Sequence, residues 1–235
     1  PECSSSAVKC VPEEYTTIQL CANAAVAGDT CLVNAGSYPE QVVTKSGGTS
    51  DSNRVTFKAN GAVGTVIALG FDIRHPYVTV NGFDITGTSA NQQYIGITKG
   101  GDNCQILNNY IHDGQRLVYG ISFYSSSSTG NISGNSCLVK GNRLARLNYQ
   151  FMATDGNGHR FENNIFEEGG GWDLLRVFGQ DHVFYRNIFR NSAPASGIGN
   201  HPDFIQSFSD NGGRSFNMLF EENWIEGLSA NSATG

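Results

Sequence analysis

The sequence predicts an all-β fold, a right-handed single-stranded parallel β-helix of roughly eight coils with a short N-terminal capping helix. Three observations carry this. One strand pattern with an Asn at a fixed position recurs along the chain. Its closest recurrences lie 22 and 23 residues apart. No helix-length segment lies between them, so βαβ crossovers are excluded and the strands must stack coil upon coil.

Composition narrows the class. The chain has 235 residues, of which 29 are Gly and 15% are charged. Coiled coils and helical bundles need far more Ala, Leu, Glu and Lys. With 39% hydrophobic residues the chain can fill a core, which excludes a disordered polymer. The net charge of -6 argues against a nucleic-acid partner, because phosphate binding needs a basic face. No apolar run reaches the ~18 residues of a membrane span.

Residues 1–30 read as a disulfide-containing cap. Tyr15 to Ala27 is the helix candidate, with Thr16 or Thr17 to start it and Gly28 to stop it. Such a helix covers the open end of a solenoid. Four of the six cysteines lie here: Cys3, Cys10, Cys21 and Cys31. None forms a C-x-x-C spacing, so disulfides among these four are expected, with the pairing open. Disulfides place the protein outside the cell, secreted or at the cell surface. The chain starts at Pro1 among polar residues and reads as already processed.

Residues 31–235 read as the β-helix. The repeat runs Cys104-Gln105-Ile106-Leu107-Asn108-Asn109-Tyr110-Ile111, and returns from Cys137 to Leu144, His159 to Phe166, His182 to Phe189 and Met218 to Ile225. Val78 to Ile85 fits with Phe83 in the Asn slot. Stacking predicts one inward column of Val80, Ile106, Val139, Phe161, Phe184 and Phe220. It predicts another of Ile85, Ile111, Leu144, Phe166, Phe189 and Ile225. Asn109, Asn142, Asn164, Asn187 and Asn223 fall where the strand bends, and stacked amides there can bond the bent backbone and one another. Cys104 and Cys137 share a slot on consecutive coils, so a disulfide between them is expected. His159 and His182 continue that column. With no third ligand in it, they read as neutral hydrogen-bonded imidazoles rather than a metal site.

A second strand per coil is visible at Tyr94–Ile97, Tyr119–Phe123, Phe151–Thr154, Leu174–Phe178 and Phe204–Phe208. Two coils carry insertions, in 124–130 and in 191–200 with 210–213, which could wall a groove across the strands. Near the second strands a polar set recurs on three successive coils. Arg176, His201 and Asp203 are the candidate catalytic residues, and Asp155, Asp173 and Gln206 the candidate substrate-binding ones. A base and a cation are what proton abstraction beside a sugar carboxylate requires. Two carboxylates on adjacent coils, Asp173 and Asp203, could instead serve hydrolysis or hold calcium.

The stretch Ala27-Gly28-Asp29-Thr30-Cys31-Leu32-Val33-Asn34-Ala35-Gly36-Ser37-Tyr38-Pro39-Glu40 resembles the opening of secreted right-handed parallel β-helix proteins. So do Lys45-Ser46-Gly47-Gly48-Thr49 and Val55-Thr56-Phe57-Lys58-Ala59. The opening is similar to that of the polysaccharide lyases that group alginate lyases with chondroitinase B. The resemblance implies the fold and a polysaccharide partner. That family uses a Lys and an Arg on neighbouring coils beside acidic calcium ligands. The Asp203 to Ser209 strand has no Lys, so no catalytic residue is carried over.

Two functions follow as expectations. In one, a secreted β-helix binds or cleaves a polysaccharide, acidic or neutral, in a groove across the strands. In the other, a structural or adhesive β-helix self-associates head to tail through an open C-terminal coil, which would otherwise be a strand-pairing hazard.

Overall fold

The structure, a computed structural model, describes residues 3, 5–89, 91–123, 134–169, 172–192, 203–207 and 215–227. Its strands stack in parallel, coil upon coil. The first face holds nine: Val8–Val11, Thr30–Val33, Val55–Ala59, Val78–Asn81, Gln105–Leu107, Leu138–Lys140, Arg160–Glu162, Val183–Tyr185 and Leu219–Glu221. From Thr30–Val33 onward these strands make seven turns of a parallel β-helix. Val8–Val11, inside the expected cap, adds one more strand by pairing Thr30–Val33 in register.

The long strand Val66–Ile73 separates a second face from a third. Its Ile67 and Ala68 pair with Asp84–Ile85, whereas its Phe71 to Ile73 pair with Gln93–Ile97. The second face continues through Tyr110–Gly114, Arg143–Leu147, Ile165–Glu167, Ile188–Arg190 and Trp224–Glu226. The third continues through Tyr119–Ser122, Met152–Ala153, Leu175–Arg176 and Ile205–Gln206. Each full coil is therefore three-sided, one strand more than the sequence pattern showed.

Both inward columns form in the expected register. Val80 pairs with Ile106, Ile106 with Val139, Val139 with Phe161, Phe161 with Phe184 and Phe184 with Phe220. On the second face Phe166 pairs with Phe189, their rings stacked 4.9 Å apart. Burying each such ring contributes ~1.5–3 kcal/mol. The columns run buried as far as Phe184 and Phe189, while Phe220 and Ile225 on the last described coil are exposed.

The corners obey a steric rule. A residue in the left-handed region recurs ahead of the first face at Asn103, Ser136, Gly158, Asp181 and Asn217. It recurs between the first and second faces at Asn108, Gly141, Asn163, Arg186 and Glu222. It recurs at the end of the second face, within or just past its strands, at Asp113, Arg146, Glu168 and Asn191. That conformation costs a non-glycine residue ~1–2 kcal/mol. Corner hydrogen bonds offset the cost.

The Asn column supplies those bonds. Asn142 N–H donates to Asn164 Oδ1 (3.0 Å), and Asn164 N–H to Asn187 Oδ1 (3.0 Å). Each side-chain amide also donates to a carbonyl on the preceding coil, as Asn164 Nδ2 does to Val139 O (2.9 Å). The Phe83 N–H donates to Asn109 Oδ1, so Phe83 fills the Asn slot at the head of the column.

At the N-terminus the helix spans Ile18–Ala24, shorter than expected, with Thr17 as its N-cap. Glu40, from the strand Gly36–Val43, accepts the N–H groups of Ile18 (2.9 Å) and Gln19 (3.0 Å). Cys3 pairs with Cys10 and Cys21 with Cys31.

Cys104 and Cys137 are not bonded, which corrects the expectation of a disulfide: both are buried free thiols. They do share a slot on paired coils, since Gln105 and Leu138 beside them pair in register. In-register parallel strands hold side chains ~4.8 Å apart and parallel, whereas a disulfide needs Cβ atoms ~3.5–4.5 Å apart. The slot instead propagates a backbone bond. Cys104 N–H donates to Cys137 Sγ (3.2 Å), Cys137 N–H to His159 Nδ1 (3.1 Å) and His159 N–H to His182 Nδ1 (3.2 Å).

Candidate functional site

The third face assembles most of the polar set expected from the sequence. Met152 pairs with Leu175, and Leu175 with Ile205, as the inward row. The outward row beside it is Ala153, Arg176 and Gln206. Asp173, three residues ahead of Arg176, is buried. Its Oδ2 accepts from Arg176 Nε (3.0 Å) and its Oδ1 from the Asp203 N–H (3.1 Å). Gln206 Nε2 reaches Asp203 Oδ2 (3.4 Å). Arg176, Asp173, Asp203 and Gln206 thus form one hydrogen-bonded group over two adjacent coils.

Asp155 sits apart, in the corner beyond Met152–Ala153. Its Oδ1 accepts the Gly156 N–H (2.8 Å), and burial pushes its carboxyl up against that bond. His201 lies outside the described residues, as do most of both insertions.

The arrangement constrains the chemistry. Both oxygens of Asp173 are engaged by N–H donors, so it positions Arg176 and the Asp203 backbone. Buried and ion-paired with Arg176, it is withheld from the role of a nucleophile. Among the described residues, the group with three ligand atoms close together is Cys3, Cys10 and Glu13, where the two cysteines are a disulfide.

Aromatic side chains flank the polar group. Tyr149 and Trp172 occupy the same slot, three residues ahead of the paired Met152 and Leu175. Their ring centroids lie 5.0 Å apart, and Tyr119 on the preceding coil lies 4.7 Å from Tyr149. All three rings are partly exposed. The strip runs along the helix axis, one ring per coil.

A second polar cluster, on the outside of the second face, escaped the sequence reading. His112 Nε2 meets Asp84 Oδ1 (2.8 Å) and its Nδ1 meets Asp113 Oδ2 (2.6 Å). The His112 ring stacks on Tyr110 at 4.1 Å. Arg146 bonds Asp113 (2.6 Å), the Tyr110 hydroxyl (2.9 Å) and Glu168 (3.1 Å). Arg146 and then His112 hold the Asp113 carboxyl down at about 2. Glu167 is buried between Arg143 and Arg190, which keep it below the usual carboxylate range against its burial. The signal was present: these are the outward positions of the same repeat whose inward positions gave the columns.

The sequence matches no protein-family model and no curated protein. Solved structures do match. A mannuronic-acid-specific polysaccharide family 6 lyase from human gut microbiota aligns at 13% identity and TM-score 0.56, over 88% of this chain and 57% of that one. An alginate lyase from Paenibacillus sp. aligns at 13% and 0.54, over 90% and 96%. Pectin methylesterase PemA from Erwinia chrysanthemi aligns at 12% and 0.51, over 98% and 92%. This chain therefore spans little more than half of the first and nearly all of the other two. At these identities the likeness is one of fold. The chain is a parallel β-helix protein, and shares that architecture with polysaccharide lyases and pectin methylesterases.

Proposed function

We propose that the chain binds a polysaccharide along the third face and cleaves it by β-elimination. The observation that carries the reading is the joining of Arg176, Asp173, Asp203 and Gln206 on coils that adjoin the Tyr119–Tyr149–Trp172 strip. Aromatic rings suit the apolar faces of sugars, and the polar group suits their hydroxyls and carboxylates. In this proposal Arg176 neutralises the sugar carboxylate. A base, His201 or Asp203, takes the proton beside it. The freed electron pair forms a double bond and expels the glycosidic oxygen, which takes its proton from the now protonated base or from water. Hydrolysis by paired carboxylates is less well supported, because Asp173 is buried and ion-paired with Arg176. Asp155 and Gln206 remain proposed substrate contacts. The N-terminal disulfides suit secretion or the cell surface.

The test is incubation with alginate, polygalacturonate and a neutral glucan, reading unsaturated products and new reducing ends. Arg176→Ala, His201→Ala and Asp203→Ala should each lower activity ~10²-fold or more, and the melt should fall only in Arg176→Ala, which leaves the buried Asp173 carboxylate without its cation. Full activity in Arg176→Ala overturns the site. Activity on no polymer overturns the enzymatic reading.

One observation favours the second, structural reading. On the last described coil Phe220 and Ile225 are exposed, in columns buried on earlier coils, and the outward Leu219 and Trp224 beside them are exposed as well. A second copy stacked head to tail would cover them. Sedimentation that shows a monomer at all concentrations removes this reading.

A further inference from the structure

The outer surface of the second face holds a cavity of about 350 Å³ that the proposed activity does not use. Its lining includes Val63, Gly64, Asp84, Asn108, Tyr110 and Arg143. The register explains why these meet. Tyr110 pairs with Asp84 on one side and Arg143 on the other, so the three stand in one row across three coils. Asn108, in the left-handed corner just ahead of Tyr110, closes one wall.

The polar atoms are divided in a particular way. Asp84 spends Oδ1 on His112 Nε2, which fixes the carboxylate. Its Oδ2 makes no hydrogen bond among the described residues. Gly64 stands opposite: a Cβ there would approach Asp84 Oδ2 to 3.9 Å, so the lack of a side chain leaves that oxygen open to the cavity. Asn108 spends its amide nitrogen on Asn81 Oδ1 (3.1 Å) and keeps its oxygen as an acceptor. Arg143 lies 4.9 Å over the Tyr110 ring and bonds Glu167 through Nε alone. Its terminal nitrogens are the cationic donors at the rim. Two acceptors stand against one bidentate cation, in a space at the lower end of the ~300–1,000 Å³ typical of small-molecule sites.

We propose that this cavity is a second saccharide site, separate from the third-face groove, which takes one carboxylated sugar unit. The carboxylate pairs with Arg143, and ring hydroxyls donate to Asp84 Oδ2 and Asn108 Oδ1. A neutral sugar would leave the terminal nitrogens of Arg143 without an anionic acceptor and bind more weakly. A plain carboxylate would leave both acceptors unused.

The test is calorimetric titration of the whole chain with galacturonate and glucuronate, and with galactose and acetate as controls. Each uronate or one of them should bind in the millimolar range, at least about tenfold more tightly than either control. Arg143→Gln should weaken that binding by about tenfold or more. Val63→Trp, at an exposed position on the rim, should abolish it by filling the mouth while the thermal melt stays unchanged. Arg176→Ala, on the third face, should leave it intact. The proposal is overturned by no uronate binding to the folded chain, or by equal binding of galactose or acetate. It is overturned also by binding that survives Val63→Trp combined with Arg176→Ala, or by binding lost in Arg176→Ala alone. The last result would move the uronate to the third-face groove.

Discussion

Asn164 and Asn187, 23 residues apart in sequence, are joined by two hydrogen bonds to a single oxygen. The Asn164 backbone N–H and its side-chain Nδ2 both reach Asn187 Oδ1, each at 3.0 Å. Asn164 in turn receives the same pair from Asn142. Replacing Asn164 by Leu strands the Asn142 N–H and the Val139 carbonyl in a dry interior. The expected cost is ~1–3 kcal/mol in a urea denaturation curve. Asn164→Asp should also destabilise, because a carboxylate oxygen would then face the Val139 carbonyl. A neutral Asn164→Leu would show that the column is ornamental.

Cys104 and Cys137 should behave as two thiols. Burial, and after it the neighbouring Cys137, pushes the Cys104 thiol well up, so the native chain should alkylate slowly. In denaturant without reductant, two alkyl groups should add per chain. A peptide map that links Cys104 to Cys137 would restore the disulfide that the register argues against.

Glu40 caps the helix from another element. Its two oxygens take the N–H groups of Ile18 and Gln19, which a helix leaves without internal partners. Glu40→Ala should cost ~0.5–2 kcal/mol, comparable to losing a cap residue. Glu40→Gln keeps one acceptor and should cost less. Equal melts for wild type and Glu40→Ala would mean that Thr17 suffices.

The inward columns were legible because stacking repeats one slot every coil, so Phe161, Phe184 and Phe220 could be aligned by eye. The corner Asn residues were legible for the same reason. Cys104 and Cys137 show where alignment misleads: a shared slot fixes Cα neighbours, but a disulfide depends on how the side chains point. The second-face strand of each coil was legible only as the tail of the Asn repeat, since strands as short as Ile165–Glu167 carry too few residues to show their own alternation. At the site, the repeat brought Arg176, Asp173, Asp203 and Gln206 onto neighbouring coils. His112 was missed because its partners Asp84 and Arg146, by way of Asp113, lie a coil away on either side.

The last prediction concerns acid. His159 Nε2 contacts the Asp155 carbonyl (2.8 Å) and His182 Nε2 the Phe178 carbonyl (2.9 Å). Each Nε2 must therefore carry the proton. Each Nδ1 accepts a backbone N–H, from Cys137 and His159 respectively. A second proton on either ring would confront that N–H. Burial, and then the neighbouring His182, pushes His159 down to about 3. Burial pushes His182 down to about 4, against its bond to Phe178 and the nearby Asp181. Both folded values lie below the ordinary 6.5, so between the two limits the unfolded chain binds more protons than the folded one. Stability is then complete above roughly pH 6.5 and falls as the pH drops toward 4, by up to ~1.4 kcal/mol per pH unit for each ring. The lowered carboxylates, Glu162 and Glu167, act mainly below their ordinary 4.5, and the raised Asp155 acts with the opposite sign, so a fall in stability between pH 6.5 and 4.5 comes chiefly from the histidines. His182→Asn keeps an acceptor for the His159 N–H and cannot be protonated. It should lower stability at neutral pH, through loss of the Phe178 bond, yet flatten the slope between pH 6.5 and 4.5. Denaturation midpoints for the wild type that hold level across that window would show that the two rings take up protons in the fold as readily as in the unfolded chain.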